Sequence, residues 1–387
     1  MSIDRHQLEY QSQPSVVADS SRTVASIRGI IAHNYRGMTI LRLQDGKPRR
    51  RVLYLNSYGM ALAWRQISEG VYPGQHLWGC LELVRMGYEV AMPEEPKRDG
   101  AFFNYRRQDL RYLAFIKDWL GRNGIIYSAH TILFWAPLLV QLGFLRCPVV
   151  TMLYARGENL RFTKGYLGII ALNPAARSRA EELAPHAKVA HLSWGVDLPF
   201  FPLLPYGPKW FLSCGKTRRD FQVLADAAAL SSELIRVINT ELPAGLVWPA
   251  HVRTFTGGHN GDWQTVSYQD LIHEHYSGCS AALILVQEDR AERYGAGFTQ
   301  LLEAMALARP VIVTRTGALA DELDVEKEGC GLHIPPGDGK ALANAMRTLA
   351  ENPAQAEAMG KAGRRLCETH YNIDRYASEL HQFFEAL

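Results

Sequence analysis

From Val52 onward the chain alternates short, mostly apolar runs with stretches in which apolar residues recur every three or four positions. Val52–Asn56, Glu89–Met92, Gly124–Ser128, Val149–Leu153 after Pro148, Leu167–Leu172 and Lys188–Leu192 read as strands without a wet face. Parallel strands covered on both sides have that pattern. Helices are predicted at His76–Met86, with Leu77, Leu81 and Val84 on one face and Gly87 ending it, and at Leu110–Leu120, Leu133–Leu142 and Ala175–Leu183. Short buried strands separated by helices of about ten residues predict an α/β fold with a parallel, doubly wound sheet.

Trp194–Trp210 breaks this rhythm with four prolines and reads as an interdomain linker. A second series follows it. Strands are predicted at Trp210–Cys214, Leu234–Ile238, Val252–Thr256, Ala281–Val286, Val311–Thr314 and Gly331–Ile334. Helices are predicted at Phe221–Leu230, Tyr268–Ser277, Phe298–Leu307, Lys340–Glu351, Ala354–Cys367 and Ile373–Phe384. The expected organisation is a first domain over residues 1–200, a second over 201–370, and a final helix, 371–387, packing back on the first. Two such halves face each other across a cleft, and ligands of these sheets sit beyond the carboxyl ends of the strands.

The rest of the chain is less patterned. Residues 1–24 are polar and expected to be poorly ordered. Ser26–Leu43 is apolar with scattered arginines, and Lys47, Arg49, Arg50 and Arg51 follow it. Such a run is a solvated face before a strand, or a contact for anionic lipid headgroups at the inner membrane face.

Composition narrows the function classes. With 387 residues, 47% hydrophobic and 21% charged, the chain suits two globular domains of about 180 residues each. A net charge of +3 is too small to argue for nucleic acid. The six cysteines are scattered, without a C-x-x-C pair, and read as core residues in a reducing, cytoplasmic setting. No apolar run is long enough for a membrane span, and the N-terminus has no secretory apolar stretch. D-x-D, P-loop and G-x-S-x-G motifs are absent, as is metal-ligand spacing, so no metal is expected.

Chemistry concentrates between Ala291 and Glu322. A loop with Gly295 and Gly297 leads into the predicted helix Phe298–Leu307, which carries Glu303 and is ended by Pro310. Glycines let backbone N–H groups approach a ligand closely, and a helix N-terminus favours phosphate. A carboxylate farther along the helix can accept hydrogen bonds from paired sugar hydroxyls. A nucleoside diphosphate, above all a nucleotide-sugar, meets both demands. Glycine loops also open many α/β helices, and a helix glutamate is usually a solvated surface residue.

Over roughly residues 52–384 the chain resembles the GT-B-fold retaining glycosyltransferases of the GT4-like group, glycosyl transferases group 1. The likeness is carried by "GFTQLLEAMALARPVIVTRTGALADEL" (297–323), by "GVD" (195–197) at the linker entry, and by "GLHIPPGDGKALANAM" (331–346). It implies two Rossmann-like domains, a nucleotide-sugar donor such as UDP-glucose, and a saccharide or lipid-linked saccharide acceptor. It implies that Glu303 holds the ribose hydroxyls and that Gly297, Phe298 and Thr299, with Gly295 beside them, offer backbone amides to the donor. In "CGKTRRDF" (214–221), Lys216 and Arg219, with Arg218 in reserve, stand where the family grips the diphosphate. Alone, that segment also reads as a solvated turn.

This chain departs from the family at three places. Gly295 stands eight positions before Glu303, where the family carries its first glutamate, although Glu292 lies nearby. Tyr154 occupies the place of a family histidine, with Arg156 and Glu158 beyond it. The family's paired-glycine loop is present only as Pro73–Gly74–Gln75–His76. His130 and Tyr154 are therefore the acceptor-side candidates, with His76 behind them. Strand-end histidines are more often structural, Tyr154 equally suits a packed ring, and Arg156 with Glu158 suits a surface pair. The family mechanism implies front-face attack, with the leaving phosphate taking the acceptor's proton. Two alternatives stay open: a GT-B subunit without catalysis, and another GT-B enzyme such as an epimerase or phosphorylase.

Overall fold

The computed structural model describes residues 27–94, 112–129, 133–154, 159–215, 218–239, 242–256, 266–287 and 296–387. Among these the strands form two sheets. The first holds β1 (Ile30–Tyr35), β2 (Met38–Leu43), β3 (Arg51–Leu55), β4 (Glu89–Pro93), β5 (Ile125–Ser128), β6 (Val149–Leu153), β7 (Gly168–Ala171) and β8 (Lys188–His191). Their order is β1-β2-β4-β3-β5-β6-β7-β8, parallel from β4 to β8. The second sheet holds β9 (Trp210–Cys214), β10 (Ile235–Ile238), β11 (Val252–Phe255), β12 (Cys279–Ile284), β13 (Val311–Thr314) and β14 (Gly331–Ile334). It is parallel throughout, in the order β11-β10-β9-β12-β13-β14.

Among the parallel strands both orders reverse direction once, between β3 and β5 in the first sheet and between β9 and β12 in the second. At such a reversal the flanking connections leave to opposite sides and open a crevice beyond the carboxyl ends. The apolar runs explain the burial: Val52, Leu53 and Tyr54 of β3 and Ala282, Leu283 and Ile284 of β12 are wholly inaccessible. Sequence patterning therefore locates the parallel strands well, because each one is apolar on both faces.

Four segments differ from the sequence expectation. Within the stretch Ser26–Leu43, to which no element is assigned from sequence, Ile30–Leu43 forms the β1–β2 hairpin, with β2 antiparallel to β4. Met60–Ser68 is a further helix not foreseen. The helix expected over His76–Met86 is broken: a 3₁₀ turn, Gly74–Leu77, is followed by left-handed Trp78 and Gly79, and helix resumes at Cys80–Arg85. Apolar periodicity survives that break, so it could not reveal it. After β13, a short helix not foreseen from sequence runs over Gly317–Glu322.

One apolar cluster runs from Tyr54 and Trp78 through Trp194, Val196, Phe200 and Phe201 of the linker to Leu212 and Ile284 of the second sheet. The two halves thus share a core. Gly195 is needed there because a Cβ would stand 2.1 Å from the backbone of Asn372. Val196 exchanges backbone hydrogen bonds with Tyr371 and Ile373, anchoring the start of the helix Ile373–Glu385. That helix lies on the first sheet, with Tyr376 bonded to Tyr127 at 2.9 Å and Phe384 edge-on to the Tyr127 ring. Among the described residues no helix is long and apolar enough to cross a membrane.

Candidate active site

The reversal in the second sheet brings two connections together. The first leaves β9 through Gly215 and reaches Arg219 and Asp220, whose side chain caps the helix Phe221–Ala229. Arg219 forms a β-bridge with Val286, just beyond β12. The second connection returns at Ala296 and opens the helix Phe298–Ala306 on Gly297. Gly297 has φ +92°, a left-handed geometry that a side chain disfavours. A Cβ there would also stand 2.6 Å from Ile284 and 3.1 Å from the Arg219 guanidinium. Only glycine lets this helix start against the arginine.

Arg219 is 7% exposed. Its Nε donates to the Cys214 carbonyl at 3.0 Å, while its buried Nη1 has no hydrogen-bond partner among the described residues. Burial pulls the guanidinium's pKa down, and nearby Cys214, Tyr276 and Glu303 oppose that shift. An arginine nevertheless keeps its charge. A buried, charged N–H without an acceptor costs about 1–3 kcal/mol or more. An anionic ligand beside the helix N-terminus would remove that cost. Two further buried polar groups on this edge lack partners among the described residues: both side-chain amide atoms of Gln300, in the first turn of the helix, and the Thr316 hydroxyl beyond β13.

Glu303 lies farther along the same helix and is buried. Its Oε1 accepts from the Tyr268 hydroxyl at 3.0 Å and from Gln75 Nε2 at 3.1 Å. Among the described residues its Oε2 accepts no hydrogen bond. Burial pushes the carboxyl up to about 8, partly offset by the Tyr268 hydrogen bond and by Arg219. His76 Nε2 lies 3.0 Å from the Tyr268 oxygen. Because Tyr268 donates its one proton to Glu303, the His76 nitrogen must donate to Tyr268, which fixes its tautomer. Burial also lowers His76 to about 4, so the ring is neutral at pH 7.

Gln75 ties the two halves together. Its Nε2 reaches Glu303, and its Oε1 accepts from the Asp197 backbone N–H at 2.7 Å. The Asp197 carboxylate accepts from the Gly74 N–H at 2.7 Å. "PGQH" and "GVD" are therefore partners in space. Reading the two patterns together could have found Gln75 and Asp197, whereas Tyr268 has no sequence signal at all.

At the carboxyl edge of the first sheet the chemistry is aromatic. Tyr154, just beyond β6, meets Trp78 edge-on at 5.4 Å, and Trp78 stacks on Trp194 at 4.9 Å. Trp194 approaches His76 at 6.1 Å, and His76 meets the Tyr72 ring at a tilt, 4.8 Å away. Trp78 Nε1 donates to the Tyr58 hydroxyl at 2.7 Å. This wall runs from Tyr154 to the Tyr268–Glu303 pair without interruption.

The structure thus brings together Glu303, Arg219, Gly297, His76 and Tyr154. Phe298 sits beside them with its ring 6.0 Å from Tyr371, and Thr299 follows it in the first turn. Arg218 lies next to Arg219 with φ +55°. Lys216, His130, Gly295, Glu292, Arg156 and Glu158 lie outside the described residues.

Comparison with known proteins agrees with this architecture. Residues 260–366 match the family model for glycosyl transferases group 1. None of the curated proteins matches the chain. Among solved structures, sucrose-phosphate synthase from Thermosynechococcus elongatus superposes with a TM-score of 0.65 at 17% identity, covering 87% of this chain and 99% of that one. A glycosyltransferase from Rickettsia africae gives a TM-score of 0.59 at 13% identity, covering 88% of this chain and 99% of that one. The Anabaena protein HepE, solved with UDP and glucose, gives 0.57 at 13% identity, covering 88% of this chain and all of that one. The chain has the GT-B fold, and its second half carries the sequence pattern of glycosyl transferases group 1.

Proposed function

We propose that the protein transfers a hexose from a UDP-sugar to a saccharide or lipid-linked saccharide, with retention and without a metal. One observation carries the reading: a buried arginine with an N–H unpaired among the described residues faces a glycine-capped helix at the reversal of the second sheet, and that helix also bears Glu303. The diphosphate lies against Arg219, Lys216 and Arg218 and the amides of Gly297, Phe298 and Thr299, while Glu303 Oε2 takes a ribose hydroxyl. The leaving diphosphate gains charge as the glycosidic bond breaks, so fixed cations stabilise the transition state more than the ground state. Retention follows from departure and attack on one face of the sugar, the leaving phosphate accepting the acceptor's proton. Residues 201–370 bind the donor and residues 1–200 the acceptor, where His130 and Tyr154 flank the incoming hydroxyl. The protein works in the cytoplasm, at the inner membrane face when its acceptor is lipid-linked.

The HepE complex with UDP-glucose supports the choice of donor. The test is a thermal-shift titration with UDP and UDP-sugars, followed by UDP release against a panel of acceptors. UDP should stabilise the wild type in a dose-dependent way, and Glu303→Ala should abolish most of the shift. An unshifted wild type across all nucleotide-sugars rejects the donor assignment. UDP binding without transfer to any acceptor leaves a binding subunit instead.

A further inference from the structure

Arg49, Arg50, Arg122, Arg146, Lys164 and His186 line a pocket of about 700 Å³. Its place follows from the strands it borders. Arg50 precedes β3, Asn123 comes shortly before β5, Pro148 precedes β6 and Leu167 precedes β7. All four mark amino ends, so the pocket opens on the edge of the first sheet opposite the candidate active site. Strands of four or five residues separate the two edges by about 15 Å.

Arg50 and Arg49 are held in place, and most of the cations are not neutralised. Arg50 donates to the backbone carbonyls of Asn123 and Phe384, each at 2.6 Å, which fixes its guanidinium without cancelling its charge. Glu385 is the one acidic side chain on the wall, and it pairs with Arg49 at 2.7 Å. Arg122, Arg146 and Lys164 are exposed and form no ion pair among the described residues. Several like charges around one recess repel each other until an anion with several oxygens joins them.

A second observation narrows the ligand. The turn after the helix Trp135–Gln141 holds Leu142, 57% exposed, and Phe144, 79% exposed. Val140 and Arg146 on either side of that turn line the pocket. Leu167, itself on the wall, is 43% exposed. A free phosphate or nucleotide would satisfy the cations and leave these apolar side chains in water. A lipid surface offers an anionic layer and an apolar layer at adjacent depths, matching both.

We propose that this pocket is a docking site for the phosphoryl headgroup of an anionic membrane lipid, with Phe144 and Leu142 entering the acyl boundary. It specifies the membrane contact in the functional reading above and is independent of the transfer chemistry.

The full chain should sediment with mixed phosphatidylglycerol–phosphatidylcholine vesicles and stay in solution with phosphatidylcholine alone. The double variant Arg146→Ala, Lys164→Ala should bind the mixed vesicles about 30-fold more weakly. Phe144→Ser alone should weaken binding about tenfold. These side chains are exposed, so both variants should unfold at the wild-type temperature. Unchanged sedimentation of both variants overturns the proposal. So does full retention by Phe144→Ser combined with displacement by inorganic phosphate, which would make this a soluble-anion site. UDP-induced thermal stabilisation of the same preparations keeps the readings apart. A wild type that is stabilised by UDP but stays in solution with the mixed vesicles refutes only the docking site, and one that sediments with them but is not stabilised by UDP refutes only the donor assignment.

Discussion

The carboxyl edges of the two sheets solve different problems with different materials. On the second sheet the edge holds buried polar groups that no described residue satisfies: Arg219 Nη1, the Gln300 amide and the Thr316 hydroxyl. On the first sheet the edge is a wall of rings, Tyr154, Trp78, Trp194 and His76, packed on one another. Unsatisfied buried charge makes a site that is unstable when empty and selective for an anion. A ring wall is stable when empty and offers flat apolar surface, which suits the face of a sugar. Under the proposed function, donor and acceptor recognition thus rest on opposite conditions of the unliganded protein.

The largest effect should come from breaking the charged edge. Arg219→Met should cut turnover by about 10²–10³-fold, the usual loss when one preorganised transition-state donor is removed. The same change removes a desolvated, partly unpaired cation, so the melting temperature should hold or rise. Steady-state kinetics and thermal unfolding on one preparation check both halves. Turnover within threefold of wild type would mean that the arginine is merely structural.

Next in size is a pH effect. Glu303 is raised from an ordinary 4.5 to about 8. Below pH 4.5 folded and unfolded states are both protonated, and the carboxyl favours folding relative to an unshifted one. That advantage is lost as pH rises through about 8, because the unfolded chain ionises first. Wild type should therefore lose stability between pH 5 and 8 relative to Glu303→Gln, by something on the order of 3 kcal/mol. Glu82, also buried and raised to about 8, and His76, lowered to about 4 with the opposite sign, contribute to both proteins. The difference between the two urea-derived profiles isolates Glu303. A flat difference would mean that the carboxyl is not desolvated.

The seam between the edges comes third. Gln75→Leu removes the donor to Glu303 and the acceptor for the Asp197 N–H while keeping an apolar body of similar size. Two buried groups lose partners, so stability should fall by about 1–3 kcal/mol in urea unfolding. A change below half a kilocalorie per mole would show that water replaces the side chain readily.

The same contrast explains what the sequence revealed. The second-sheet edge is built from two loop-helix units in which spacing along the chain decides position in space. Glycine before a helix and a glutamate within it could therefore be read directly, as could arginines after a strand. The ring wall draws Tyr72, His76 and Trp78 from one loop, Tyr154 from beyond β6 and Trp194 from the linker. No period connects them, so only Tyr154 and His76 were legible, and those by the family pattern. Tyr268 was hidden in the same way. The parallel strands were read because burial on both faces leaves an unbroken apolar run. The β1–β2 hairpin has exposed or half-buried residues throughout β1, which leaves no such run. The break at Trp78 and Gly79 was invisible because apolar positions on both sides keep helical spacing.

The smallest effect tests whether the ring wall carries chemistry of its own. Tyr154 meets Trp78 through its ring, and phenylalanine keeps that contact. If the first-sheet edge recognises the acceptor by surface alone, Tyr154→Phe should change acceptor KM and kcat by less than about threefold, within half a kilocalorie per mole or so. Tyr154→Ala removes the edge-on pair, worth about 0.5–1.5 kcal/mol beyond its buried area, and should raise acceptor KM while sparing kcat. Both variants need measuring against saturating donor, so that the second-sheet edge stays occupied and drops out of the ratio. A hundredfold loss of kcat in Tyr154→Phe would place the hydroxyl in the proton path of the acceptor. The first-sheet edge would then share the second sheet's reliance on a polar group held for the reaction.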